Sequence, residues 1–241
     1  MKISVVVPAF NEEKLISATL DAVKGSLGVF ENRGWQTEVI VCDNNSTDQT
    51  ASIARALGAN VVFEPVNQIA RARNTGAAAA SGDWLLFVDA DSLPNPGLFE
   101  DVLRTILSGR YLFGGVVLRF DSAPFAARMT VHVWNTISRW KKLAAGSFLF
   151  CDTKAFREIG GFDVGLYASE ELDLSQRLRV HARIRGLDGI ILTRNPMVTS
   201  GRKLKLYTQK EHIRFMFRAF TRWRKVLGSR EECHIWYDGR R

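Results

Sequence analysis

Short apolar runs alternate along this chain with longer stretches in which apolar residues recur every three or four positions. Ile3 to Val7, Glu38 to Cys42, Asn60 to Phe63 and Trp84 to Val88 have the length and the β-branched or aromatic content of buried strands. Between them the spacing changes to that of helices. Leu15, Ile16, Leu20 and Val23 share one helical face, in a helix expected to open at Asn11-Glu12-Glu13 and to stop at Gly25 or Gly28. Ser46 or Thr47 is placed to cap a second helix running to about Leu57, and Gln68 to Ala80 is an alanine-rich third that carries Arg71, Arg73 and Asn74. Pro8 is expected to end the first strand, because proline cannot donate to a ladder, and Pro94 and Pro96 to prevent regular pairing after the fourth.

Strands and helices in strict alternation predict an α/β fold, a mostly parallel, Rossmann-like sheet wound by right-handed crossovers with flanking helices. Ligands of such sheets bind beyond the carboxyl ends of the strands. Three polar clusters, Pro8 to Glu13, Asp43 to Asp48 and Asp89 to Asp91, follow strand ends and so converge on one crevice. A dinucleotide site would place a glycine-rich turn after the first strand, and PAFNEE contains no glycine, which argues against an NAD-type enzyme.

Past Pro96 the pattern predicts a helix from about Leu98 to Leu107 and a strand from Tyr111 to Phe120, with a bulge or a close backbone approach at Gly114-Gly115. The segment from Pro124 to Leu143 is aromatic and basic. Gly146 to Cys151 is another apolar run, Thr153 starts a helix, and Gly160-Gly161-Phe162-Asp163 follows. Ser169 is a natural helix cap ahead of Glu170, Glu171 and Asp173, acids that either complement the helix dipole or do chemistry.

The chain has 241 residues, 46% hydrophobic and 24% charged, which suits one large α/β domain and excludes disordered or collagen-like chains. Charge changes the picture more. Residues 1–100 carry 7 Lys/Arg against 12 Asp/Glu, while the remainder carries 26 against 13, so the second half is expected to face something anionic. Cys42, Cys151 and Cys233 lack paired spacing, which argues against a disulfide framework or a zinc site and for a reducing, cytoplasmic setting. The first apolar run is too short for a signal peptide and no run is long enough to span a bilayer, so any membrane contact is expected to be peripheral. From Arg202 to Lys225 there are nine Lys/Arg and one acid, Glu211, while Ile213, Met216, Phe217, Phe220, Trp223 and Leu227 form one apolar stripe. Such a helix packs on the domain or lies on an anionic membrane; no reader motif favours nucleic acid.

Asp89-Ala90-Asp91 offers two hard oxygen donors suited to Mg²⁺ or Mn²⁺, although taken alone a polar turn is the simpler reading of the same residues. Taken together, VVVPAFNEE, VIVCDNNSTDQT, RARNTGAAAASGDWLLFVDADS, GGFD and SEELDLSQRL resemble the family-2 glycosyltransferases of GT-A fold. The resemblance spans residues 5 to about 179 and implies an inverting, metal-dependent transfer of a sugar from a nucleoside-diphosphate sugar, a UDP- or GDP-sugar, to an acceptor hydroxyl or phosphate. It implies that Pro8, Ala9, Phe10 and Glu12 contact the donor nucleoside, that Asp43 binds uracil or ribose, and that Arg73 lies near the nucleotide. Asp89, Ala90 and Asp91 become the diphosphate and metal motif, with Asp91 the direct ligand. Each has a plainer alternative: Phe10 as core, Asp43 as turn former, Arg73 on a solvated helix face.

The family pattern Glu-Asp-x-Asp places the general base at its second position, where this chain has Glu171; a register shift would make it Glu170 or Asp173. Arg202, in Ser200-Gly201-Arg202-Lys203, is a candidate to steady the leaving diphosphate, and His212 a candidate further metal ligand. The expected organisation is a catalytic domain over 1–200, its nucleotide-binding half 1–95 and its acceptor half 96–200, followed by a basic extension over 201–241. A lipid-linked or polysaccharide acceptor is suggested by the aromatic, basic segments. A sugar-phosphate nucleotidyltransferase, or a non-catalytic nucleotide-sugar-binding or membrane-surface module, are the competing readings.

Overall fold

The computed structural model describes residues 1–120, 125–144 and 147–199, together with Leu227, Ser229, Glu231 and Cys233. Its first half runs β1 (Lys2–Ala9), α1 (Ile16–Glu31), β2 (Gln36–Asp43), α2 (Thr50–Ala56), β3 (Asn60–Phe63), α3 (Ile69–Ala79) and β4 (Trp84–Val88). The second half runs β5 (Ser92–Leu93), α4 (Pro96–Leu107), β6 (Tyr111–Phe120), α5 (Phe125–Lys141), β7 (Phe148–Asp152), α6 (Thr153–Glu158), α7 (Glu170–Ile184) and β8 (Asp188–Thr199). All eight strands join one sheet in the order β3-β2-β1-β4-β7-β6-β8-β5.

The first four strands are parallel, as their alternation with helices requires. The second half is mixed: β7 is antiparallel to both β4 and β6, β8 runs parallel to β6, and β5 is antiparallel to β8. Two antiparallel steps restore direction, so β4 and β6 point the same way and end on the same side of the sheet. Alternate residues of each strand face opposite sides. Ile3, Val5 and Val7 pack with Leu20 and Phe30 of α1 and Phe99 of α4, whereas Val6 and Ile40 face Ala70 of α3, Phe156 of α6 and Leu174 of α7.

Several boundaries differ from the sequence reading. β1 continues through Pro8 to Ala9, since its pairing with β4 stops at Val6 and Pro8 has a partner on one side only. α1 passes Gly25 and Gly28 because Leu27 and Phe30 beyond them are buried. Burying each is worth about 1.5–3 kcal/mol, more than the roughly 1 kcal/mol a helical glycine costs. The helix also starts later than Asn11, whose φ is 51° and whose side chain is engaged elsewhere. Asp48, not Ser46 or Thr47, holds the start of α2, its Oδ1 accepting from the Thr50 amide at 2.9 Å. Two-residue β5 pairs just ahead of Pro94, and Pro96 opens α4 behind the cap made by Asn95. Gly114 and Gly115 mark a close approach, not a bulge: a Cβ on Gly114 would sit 2.4 Å from the Phe150 ring, while the register shifts fall on either side. β8 has no counterpart in the sequence reading.

Candidate active site

At the ends of β1 and β2 the two loops are laced together. Ala9 and Asp43 are register partners, and the Asn44 amide donates to the Ala9 carbonyl at 2.8 Å. The Asn11 amide donates to Ser46 Oγ at 3.0 Å and the Thr47 amide to Asn11 Oδ1 at 2.8 Å. The Glu12 amide reaches Thr50 Oγ1 at 2.8 Å, and the Glu13 amide reaches Asp48 Oδ2 at 3.1 Å. Pro8 and Ala9 thus belong to the strand, half-buried Phe10 follows them, and Glu12 is buried. Asp43, also buried, turns its own loop by accepting the Ser46 amide at 3.1 Å.

Arg73, on α3, is the centre of the second cluster. The solvated helix face is excluded, because Arg73 is buried, with Nη1 2.6 Å from Glu170 Oε1 and Nη2 2.8 Å from Asp89 Oδ1. Its guanidinium lies 5.3 Å from the Phe162 ring centroid. Burial opposes its charge, but Asp89 and Glu170 outweigh this and raise its pKa, so it stays a cation. For Glu170 the balance is reversed. Burial first, then the charge of Glu171, holds its carboxyl above the usual carboxylate range against the pull of Arg73. Glu170 Oε2 and Arg73 Nε are buried without a hydrogen-bond partner.

The turn carrying Asp89, Ala90 and Asp91 is fixed at several points. The Asp89 amide donates to the Ser147 carbonyl at 3.1 Å, the Ser92 amide to the Asp89 carbonyl at 3.1 Å, and Thr19 Oγ1 of α1 to the Ala90 carbonyl at 2.7 Å. Asp89 thereby keeps one oxygen on Arg73, and Asp91 follows two residues on, half-buried. No group of three or more His, Cys, Asp or Glu is assembled for a metal among the described residues. Two carboxylates still suit Mg²⁺ or Mn²⁺, which commonly take one or two protein carboxylates and complete their shell with phosphate oxygens and water.

The three acids of α7 are in different situations. Glu170 is buried on Arg73, while Glu171 and Asp173 are both half-buried, Asp173 ion-paired with Arg177 at 2.7 Å. Ser169 stands at the cap position with φ 62°, but its side chain makes no capping bond. Arg202 and His212 lie outside the described residues. Of the basic stripe, Leu227 is described, and it packs with Cys233 against Ala168 and Tyr167, just ahead of α7.

Sequence reasoning missed the residues that tie α3 to the loop before α7. Asn74 clamps Phe162, accepting its amide and donating to its carbonyl, both at 2.9 Å. Gly161, at φ 69°, also leaves room for that clamp, since a Cβ there would lie 2.7 Å from Asn74 Oδ1. Gln68 donates to the Val164 and Leu166 carbonyls at 2.8 and 2.9 Å. The signal was present as the RN-x-G and GGFD stretches, whose mutual contact no spacing rule supplies.

A sequence model described as glycosyl transferase family 2 matches residues 4–161. An uncharacterized glycosyltransferase of Mycobacterium tuberculosis is 32% identical over 113 residues, 47% of each chain. Glucosyl-3-phosphoglycerate synthase of Mycolicibacterium smegmatis is 34% identical over 115 residues, 44% of this chain and 36% of that one. The chain thus matches about half or less of the length of these relatives. Among solved structures, a mannosyltransferase from Pyrobaculum calidifontis in complex with GDP-Man and Mn²⁺ superposes with a TM-score of 0.70 at 20% identity, covering 94% of this chain and 62% of that one. S. aureus TarS 1–349 in complex with UDP-GlcNAc gives 0.64 at 20%, covering 98% and 69%.

Proposed function

Since the chain belongs to glycosyl transferase family 2 and has the GT-A fold, we propose that it transfers a sugar, with inversion, from a UDP- or GDP-sugar to a hydroxyl or phosphate of a lipid-linked or polysaccharide acceptor. The observation that carries this is the Arg73 bridge: by binding Asp89 and Glu170 together it sets the Asp89–Asp91 turn beside the acids that open α7. Donor-side and acceptor-side carboxylates therefore share one crevice. The relative from P. calidifontis with GDP-Man and Mn²⁺, and TarS with UDP-GlcNAc, support a nucleotide sugar as donor.

In this reading the laced loops hold the nucleoside, through Pro8, Ala9, Phe10, Glu12 and Asp43. Asp91, with the second oxygen of Asp89, would hold Mn²⁺ or Mg²⁺; a cation bound there supplies positive charge to the departing diphosphate. Glu171 accepts the acceptor proton as the new bond forms at the anomeric carbon. Its place second in Glu170-Glu171-Leu172-Asp173, less buried than Glu170, supports it, with Asp173 the alternative. Arg73 and Glu170 are positioning residues, and residues 1–95 and 96–200 act as donor and acceptor halves.

Release of nucleoside diphosphate from a panel of UDP- and GDP-sugars with Mn²⁺ tests the assignment. Glu171→Gln is expected to slow turnover by roughly 10²–10⁴-fold, the usual worth of a general base, with Asp173→Asn near wild type. Asp91→Ala is expected to lose metal-dependent turnover. A Glu171→Gln protein with wild-type turnover would remove that residue from the mechanism, and nucleotide binding without turnover on any acceptor would favour a binding module.

A further inference from the structure

We propose that the outward face of α5 docks this protein on an anionic lipid surface. Val133, Ile137 and Trp140 lie at successive turns of one face and are 54%, 42% and 77% exposed, although each is apolar. The inward side is anchored separately: Asn135 Oδ1 accepts the Leu118 amide and Nδ2 donates to its carbonyl, both at 3.1 Å, and Ser138 Oγ donates to the Leu143 carbonyl at 2.7 Å. The apolar stripe is therefore surplus to the fold of this helix.

Charge identifies the occupant. No acid occurs between Asp121 and Asp152, while Arg139 and Lys141 lie at the end of the stripe; Lys142 beside them is ion-paired with Asp188. Lys141 lies 4.4 Å from the Trp140 ring centroid, and Arg179 of α7 donates to the Lys141 carbonyl at 2.9 Å, adding one cation from a second helix. Beside Trp140 a groove of about 610 Å³, bordered by Tyr111, Arg139, Lys142 and Asp188, gives a polar headgroup somewhere to lie. Apolar side chains flanked by cations on an acid-free helix are what binds in a bilayer interface. Among the described residues no helix is long and apolar enough to cross a membrane, so α5 lies on it. α5 runs antiparallel to β6, with Asn135 at Leu118 and Trp140 near Tyr111, so its start lies at the end of the sheet that carries Asp89 and Asp91. The Trp140 end of the stripe, with its cations and groove, lies at the other end of the sheet, so docking there leaves the crevice open, independently of what chemistry occurs in it.

The test is co-sedimentation of the full chain with phosphatidylcholine vesicles with and without phosphatidylglycerol. Binding is expected only with the anionic lipid. Ile137→Ser with Trp140→Ser should weaken it at least about tenfold, given the apolar area withdrawn. Arg139→Gln and Lys141→Gln should each weaken it about fivefold. Because all four side chains are exposed, the melting temperature should not move, and hydrogen exchange over residues 131–141 should slow on vesicles. Wild-type affinity in the Ile137/Trp140 variant, or unchanged exchange, overturns the proposal. So does loss of binding confined to Arg218, Arg222 and Arg224→Glu, which assigns docking to the basic tail, or equal binding to a DNA duplex by wild type and the Ile137/Trp140 variant.

Discussion

Arg73 occupies one side of an alanine-rich helix, and its partners arrive from elsewhere in the chain, Asp89 from the end of β4 and Glu170 from the start of α7. Removing one member of a buried ionic group leaves a charge uncompensated, at a cost of about 3–5 kcal/mol. Arg73→Ala is therefore expected to lower urea stability by that order at neutral pH, and Arg73→Ala with Glu170→Gln to recover part of it. The pH dependence has a definite sign. Glu170 is raised in the folded protein by burial and by Glu171, so its contribution is fullest below the ordinary carboxylate range and is lost as pH rises through the raised value. Glu170→Gln should flatten that slope, read from denaturation midpoints, and Arg73→Ala should steepen it. The sequence displayed Arg73 and Glu170 as candidates but could not join them, because they stand 97 positions apart and a charge pair leaves no periodic trace.

At the scale of elements, glycines separate local cost from tertiary fit. Gly114→Ala would push a Cβ to 2.8 Å from the Ile190 carbonyl, a backbone atom that can move only by parting β6 from β8. A loss of about 1–3 kcal/mol is expected, as for other overpacked interiors. Gly25→Ala, with nothing within 4 Å of the added carbon, should instead stabilise α1 by about 0.5–1 kcal/mol; thermal unfolding distinguishes the two. The strands β3, β4 and β6 were legible to the residue because their apolar runs end at turn formers. β8 was not, since Arg194, Asn195 and Pro196 interrupt its pattern and its pairing comes from β6, far back in the chain. The start of α1 was misplaced for a related reason: Asn11 spends its side chain on the neighbouring loop.

For the whole molecule, the pairing of β4 with β7 carries the sheet without a break from the first half of the chain into the second. With one sheet and with the cores on both faces drawing residues from each half, unfolding of the described body is expected as a single transition, with equal calorimetric and van't Hoff enthalpies. Two separate transitions would mean that the halves fold alone. The convergence of three strand ends was readable from the order of elements, because parallel strands put their carboxyl ends on one side. The antiparallel insertion of β7 was not, since a strand's direction is set by its neighbours and not by its own residues.

The lacing of the loops after β1 and β2 bears on how this molecule can diverge. Asn11, Glu12 and Glu13 bond to Ser46, Thr47, Asp48 and Thr50 through backbone amides as well as side chains, so neither loop has a shape of its own. An insertion in one would leave the other without its partners. Descendants that change this corner must alter both loops together.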